Sequence, residues 1–408
     1  PCVFSGGNPL FGFANFLLLA LFAAAVFDLI FALARGGGLR GALHGLWNTP
    51  HLLFGQQLAE WRLQLGRILF AAGLAAYEIS VVFCNSMARQ NWAWVQGVMS
   101  PVLEWLAFLC FGAKILFGTR YTWRELLAGG ALYFIARWVY FNSQNIWWIG
   151  IVVAVLAAKD VPLRRPLQVY FASGCAAMAV VLALHFAGIV APDLTSERMG
   201  ALRGTYGYGH PNTFGGLVFG LVLAYALLRA QKVRWVDCLL VFAVGVFLLV
   251  GPASRSAALC TLALAVGLVF CRLRAGHSVP RWWPGTCAGM VGLTAAVSYL
   301  LPLLVIKVGP WNNDIGPAWL AKLDSLLTCR ISLTWMAYRL LDVKIAGQVF
   351  NWPTVDNSFA FALFQFGPVV AALLGILFAA ALWGHAKQGR RVEVCCLFAM
   401  LAYAYMEV

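Results

Sequence analysis

Apolar stretches close to the ~20 residues that an α-helix needs to cross a bilayer recur from one end of this chain to the other. They are too many to be signal peptides or the buried core helices of one soluble fold. Composition agrees. Of the 408 residues 62% are hydrophobic and 11% charged, whereas a soluble domain carries about 25% charged residues. A soluble or secreted fold is therefore excluded. The expectation is an all-α polytopic integral membrane protein of about 11–12 transmembrane helices, arranged as a single membrane domain over 1–408. Pro1 and Val408, the latter inside an apolar run, are expected to mark trimmed termini.

Spans are expected near 10–34, 63–83, 101–118, 126–141, 145–158, 167–190, 212–228, 236–252, 256–271, 285–306, 357–383 and 393–408. The pair 126–141 and 145–158 is short, which suits tilted helices or a helical hairpin. The loop 35–62, with Arg35, Arg40, His44, His51 and Trp61, suits the membrane interface.

The net charge of +14 has two readings, nucleic acid or the positive-inside rule. Arg120/Arg124, Lys159/Arg164/Arg165, Arg229/Lys232/Arg234, Arg272/Arg274/Arg281 and Lys387/Arg390/Arg391 form clusters between apolar runs, the pattern of cytoplasmic loops. No nucleic-acid partner is expected. Counting spans from those clusters puts 191–211, 251–256 and the long loop 307–356 on the outer face. The eleven cysteines lie mostly inside apolar runs without CxxC or Cys/His spacing, so neither a disulfide framework nor a metal site is indicated.

The unusual polar residues concentrate on the expected outer face. The segment from Glu197 through Arg198, Met199, Gly200 and Arg203 to Gly204-Thr205-Tyr206-Gly207-Tyr208-Gly209-His210-Pro211-Asn212 leads into the seventh span. Proline suits a first helical turn, and a helix start offers free N–H groups and a positive dipole to an anion. An ordinary glycine-rich turn is the alternative. Pro252-Ala253-Ser254-Arg255-Ser256 is a tight turn whose arginine is costly at membrane depth unless it snorkels or finds a partner.

In the long loop, 317–342 reads as one amphipathic helix. Trp319, Leu320, Leu323, Leu326, Leu327, Tyr338 and Leu341 fall on one face, and Lys322, Asp324, Ser325, Thr328, Ser332 and Arg339 on the other. Arg330 projects from the apolar stripe and needs a countercharge, from a ligand or from a carboxylate such as Asp356. Thr354-Val355-Asp356-Asn357-Ser358 opens the eleventh span, with Asp356 either an N-cap or a group that orients or deprotonates a sugar hydroxyl. Glu78 and Glu104 are intramembrane acids able to pair with Arg137. Trp92/Trp94, Trp147-Trp148 and Trp282-Trp283 read as interfacial belts. Three arginines and a histidine on one face suggest a diphosphate site, because guanidinium forks match phosphate oxygens.

Gly209-His210-Pro211-Asn212-Thr213-Phe214-Gly215, Ser254-Arg255, Cys329-Arg330-Ile331 and Val355-Asp356-Asn357-Ser358 with Gly367 resemble, in order and spacing, the O-antigen polymerase and ligase superfamily. The likeness is nearest to the exopolysaccharide polymerases of Gram-positive bacteria and covers roughly 160–385. It implies a metal-independent glycosyltransferase without cofactor, in the bacterial cytoplasmic membrane, with its active site on the outer face. The implied donor and acceptor are lipid-linked oligosaccharides on polyprenyl diphosphate. By that resemblance Arg203, Arg255 and Arg330 hold the diphosphate, and His210 and Asp356 serve as catalytic groups on the acceptor hydroxyl. Asn212, Asn357 and Ser254 support them. A flippase and a chain-length regulator of the same pathway are implied partners. The ligase branch relies on a histidine in its large outer loop, and 307–356 has none, which favours polymerase over ligase. A transporter or flippase for a lipid-linked anionic glycan is the alternative outside enzymes.

Overall fold

The computed structural model of the protein describes residues 9–34, 38–49, 51–52, 59–190, 196–198, 201–305, 317–327, 329–350 and 355–407. Arg35, Met199, Gly200, Thr328 and Thr354 lie outside the described residues. Among the described residues eight helices are long and apolar enough to cross a membrane, and two shorter apolar ones accompany them. Helices lie within each of the twelve ranges expected as spans, but the expected span 357–383 is broken at Gly367, whose φ of +86° ends one helical segment before Pro368 starts the next. The molecule is all-α and polytopic; among the described residues the only strands are a two-residue pair and a three-residue pair. It divides into two compact units, one of residues 1–141 and 145–192, the other of 142–144 and 193–408.

The first unit holds α1 (Pro9–Ala34), α2 (Leu39–Asn48), β1 (His51–Leu52), α3 (Ala59–Cys84), the single turn α4 (Ala88–Asn91), α5 (Ser100–Phe117), β2 (Arg120–Tyr121), α6 (Trp123–Ser143), α7 (Trp147–Ala158) and α8 (Arg164–Phe186). Within the loop 35–62, α2 buries Ala42 and Leu46 and lays Trp47 under the Arg124 guanidinium at 5.4 Å. Arg137 does not pair with Glu78 or Glu104. Its Nη1 donates to Asn15 Oδ1 at 2.9 Å, and its plane faces the rings of Phe11 and Phe141.

The second unit begins with a hairpin, β3 (Ser196–Arg198) against β4 (Ala201–Arg203), in the register Ser196 to Arg203. It continues with α9 (Pro211–Arg229), α10 (Trp235–Val250), α11 (Arg255–Leu273), α12 (Trp283–Leu300), α13 (Ala318–Leu326), α14 (Arg330–Leu340), α15 (Ser358–Phe361), α16 (Pro368–Lys387) and α17 (Arg391–Met406). Lipid tails are as apolar as leucine, so in a bilayer helices associate through close packing rather than through escape from water. The core of this unit shows how. Phe219, Leu223, Val241, Leu248, Leu264, Leu268 and Cys396 from α9, α10, α11 and α17 form one buried cluster. Its close approaches fall at glycines: a Cβ on Gly245 would meet Leu262 at 2.8 Å, and one on Gly215 would meet Ser254 Oγ at 2.3 Å.

The helices of this unit run up and down, which sorts its residues to two ends. At one end the Arg391 guanidinium donates to the carbonyls of Arg274, His277 and Ser278, and Ala230, Gln231, Ala275, Gly389 and Arg390 line one cleft beside it. The opposite end collects the starts of α9 and α11, the segment before α15 and the C-terminal end of α17.

The expected single helix over 317–342 is two helices, broken between Leu326 and Arg330. The cause is local competition for backbone groups. Asp324 is wholly buried rather than on a polar surface. Its carboxylate accepts from Ile331 N at 2.7 Å, Ser332 N at 3.2 Å and Ser332 Oγ at 2.8 Å, and so caps a new helix start. The Leu327 carbonyl that would have continued the first helix receives Arg330 Nη1 instead, at 2.8 Å. Cys329 makes the reversal in the left-handed region, at φ 64°.

Candidate functional site

The hairpin β3–β4 delivers Arg203 to the second unit's polar end, and Tyr206 and Tyr208 seal the loop behind it. Tyr206 stacks on Phe214 at 5.1 Å and Tyr208 packs on the same ring at 5.5 Å. The turn between them needs positive φ at Tyr206 and Gly207, a conformation glycine adopts without strain. Pro211 is the first residue of α9, as expected, and His210 caps that helix, its Nδ1 accepting from Asn212 N at 3.1 Å.

From there a continuous polar network crosses four helices. Arg203 Nη2 donates to Asn212 Oδ1 at 3.0 Å and to the Ala253 carbonyl at 3.1 Å. Ser254 Oγ reaches the same Oδ1 at 3.4 Å. Asn212 Nδ2 then donates to Glu407 Oε1 at 2.9 Å. That one oxygen also accepts from Ser256 Oγ at 2.7 Å and from Arg330 Nη2 at 2.6 Å. Arg203 and Arg330 are both buried, 5% and 7% exposed. Arg330 is held there by the Glu407 carboxylate and the Leu327 carbonyl, and Arg203 by the Asn212 side-chain oxygen and the Ala253 carbonyl.

Glu407 is the hub of the site, and no sequence motif points to it. The expected carboxylate partner of Arg330 was Asp356; the structure places Glu407 there instead. Asp356 is half-buried nearby, close enough for the two carboxylates to repel. The cap of α15 is likewise Asn357 rather than Asp356: Asn357 Oδ1 accepts from Phe359 N and Ala360 N at 3.0 and 3.1 Å. Its amide donates to Ser298 Oγ, so Asn357 fixes the entrance of α15 rather than facing open space. Asp356 lies one residue too early to reach those N–H groups. Arg255, by contrast, is exposed at the first position of α11 and makes no hydrogen bond to a described residue. Among the described residues no cluster of His, Cys, Asp and Glu has the numbers to hold a metal ion.

The electrostatic sense of the arrangement follows from where the network residues sit on their helices. Asn212 is the second residue of α9, Ser256 the second of α11, and Arg330 the first of α14. Three helix N-termini therefore converge on one carboxylate oxygen. The N–H groups of α9 and α14 are capped within the protein, by His210 and Asp324, so what these helix starts contribute to an anion is the positive end of the helix dipole and the side chains they carry.

Comparisons with protein-family models, with characterised proteins and with solved structures give no match to this chain.

Proposed function

We propose that this chain is a membrane glycosyltransferase of the polysaccharide-polymerase type. It transfers a growing glycan from a polyprenyl diphosphate carrier to a sugar hydroxyl of an incoming lipid-linked repeat unit, on the outer face of the bacterial cytoplasmic membrane. The observation that carries the reading is the convergence of three helix N-termini and the arginines Arg203, Arg255 and Arg330 at one end of the second unit. That end lies opposite the basic clusters which the positive-inside rule assigns to the cytoplasm. The ordered motif set over 209–367 supplies the substrate class.

In the proposed reaction the acceptor hydroxyl oxygen attacks the anomeric carbon of the donor glycan. The bond from that carbon to the diphosphate oxygen breaks, its electron pair leaves with the diphosphate, and the hydroxyl proton passes to a base. Negative charge grows on the leaving diphosphate, and positive groups fixed beforehand stabilise that growth. Exposed Arg255 is placed to touch the diphosphate, and its planar fork suits two phosphate oxygens at once. Arg203 stands behind as a charge held by the Asn212 side-chain oxygen and the Ala253 carbonyl, while the charge of Arg330 is paired with Glu407.

Purified protein supplied with one defined lipid-linked repeat unit tests this. A ladder of product lengths is expected. A product only when a second, different acceptor is added would mean a ligase. No transfer in detergent, with uptake only into sealed vesicles, would mean a transporter.

A further inference from the structure

We propose that Glu407 is the general base of this transfer, taking the acceptor hydroxyl's proton on Oε2. The inference rests on the transferase reading above and goes further, because neither residue expected to act as base from the sequence is built for that role. His210 spends Nδ1 on the cap of α9. A neutral imidazole whose Nδ1 accepts carries its proton on Nε2, so the second nitrogen is a donor, and taking a further proton would cost the cap. Asp356 sits on the extended segment before α15 and makes no hydrogen bond to a described residue, so nothing among those residues aims its carboxyl.

Glu407 is held at every point but one. Its backbone N–H bonds to the Tyr403 carbonyl at 2.8 Å, and its own carbonyl accepts from Ser358 Oγ at 2.5 Å. Oε1 takes three donors, from α9, α11 and α14. Oε2 takes none from a described residue, and the side chain is 12% exposed. A carboxylate with one oxygen anchored and the other presented is preorganised to accept a proton at a fixed point. The titratable and charged groups facing it are Arg330, Asp356, Tyr403 and Cys260. Burial pushes the Glu407 carboxyl up from the ordinary carboxylate range and the negative charge of Asp356 adds to that, while Arg330 and the Ser256 hydroxyl pull it back down, so proton uptake on Oε2 is favoured while the ion pair holds the carboxyl in place. The proton balance is complete: the hydroxyl oxygen keeps its electron pair for the new glycosidic bond, Oε2 receives the proton, and the diphosphate departs with the pair from the broken bond.

The test uses full-length protein in detergent with a defined lipid-linked repeat, measuring initial ladder rate against pH and binding of the donor lipid. Glu407→Gln keeps an oxygen for the three donors and removes the base. The expected result is a rate at least about 100-fold lower, loss of the acidic limb of the pH–rate profile, and donor affinity within about threefold of the unsubstituted protein. A Glu407→Gln rate within about threefold, or a retained acidic limb, overturns the inference while leaving the transferase reading standing. No ladder from the unsubstituted protein overturns both. Asp356→Asn tests the assignment whether or not Glu407→Gln folds: its acidic limb should persist, and disappearance of the limb there overturns the assignment to Glu407.

Discussion

Replacing Asp324 by alanine should unfasten the site without touching any residue that faces it. The Asp324 carboxylate accepts three hydrogen bonds at the start of α14, and Ile331, whose N–H is one of the donors, is 2% exposed. Losing a capping acceptor costs about 0.5–2 kcal/mol. Stranding a buried N–H adds about 1–3 kcal/mol. The sum is about 3 kcal/mol, and since a unit of this size loses roughly 2–4 °C per kcal/mol, the melting temperature should fall by roughly 6–12 °C. The damage begins at Arg330, the first residue of α14, and thence reaches its bond to Glu407. Amide hydrogen exchange over 330–334 should quicken more than exchange in α9 or α11, and transfer activity should fall with it. Asp324→Asn keeps one acceptor and should lose about half as much. A melting temperature for Asp324→Ala within about 1 °C of the unsubstituted protein, with unchanged exchange over 330–334, would refute the claim that this carboxylate makes the break between α13 and α14.

Gly215→Ala places a Cβ at 2.3 Å from Ser254 Oγ and 2.6 Å from Ser254 Cβ, so α9 and α11 must separate; a loss of about 1–3 kcal/mol is expected in thermal unfolding. At Gly367, φ is +86° and an added Cβ would lie 2.1 Å from the Ile345 carbonyl oxygen, so Gly367→Ala should cost at least about 3 kcal/mol and sharply lower the yield of folded protein. Arg255→Lys should melt within about 1 °C of the unsubstituted protein, because Arg255 is exposed, yet transfer at least about tenfold more slowly, since lysine lacks the bidentate fork; near-normal polymer would remove Arg255 from the site.

The helices were legible because a bilayer leaves hydropathy little freedom, and the start of α9 was legible because proline at a first turn is a local signal. Arg330 was legible as an anomaly: a guanidinium on an apolar stripe announces that it has a partner. The partner's identity was not. Glu407 lies 77 positions away from Arg330, at the end of a helix whose own sequence gives no sign of α14. The available hint was an acid closing an apolar run at the expected outer end of a span. The break between α13 and α14 was hidden for another reason. Helical periodicity over 317–342 is satisfied by both pieces, and the interruption depends on Asp324 turning inward to cap, a choice that tertiary burial makes. Asn357 in place of Asp356 as the cap of α15 is a shift of one residue, which periodicity does not resolve.

The most direct test is a structure determined with a polyprenyl diphosphate-linked repeat unit bound. The diphosphate should lie at the N-terminal end of α11, within hydrogen-bond distance of the Arg255 guanidinium, with the Glu407 carboxylate next to the acceptor side of the anomeric carbon. A diphosphate held instead among Arg229, Arg274 and Arg391, at the opposite end of the second unit, would contradict both the site and its assignment to the outer face.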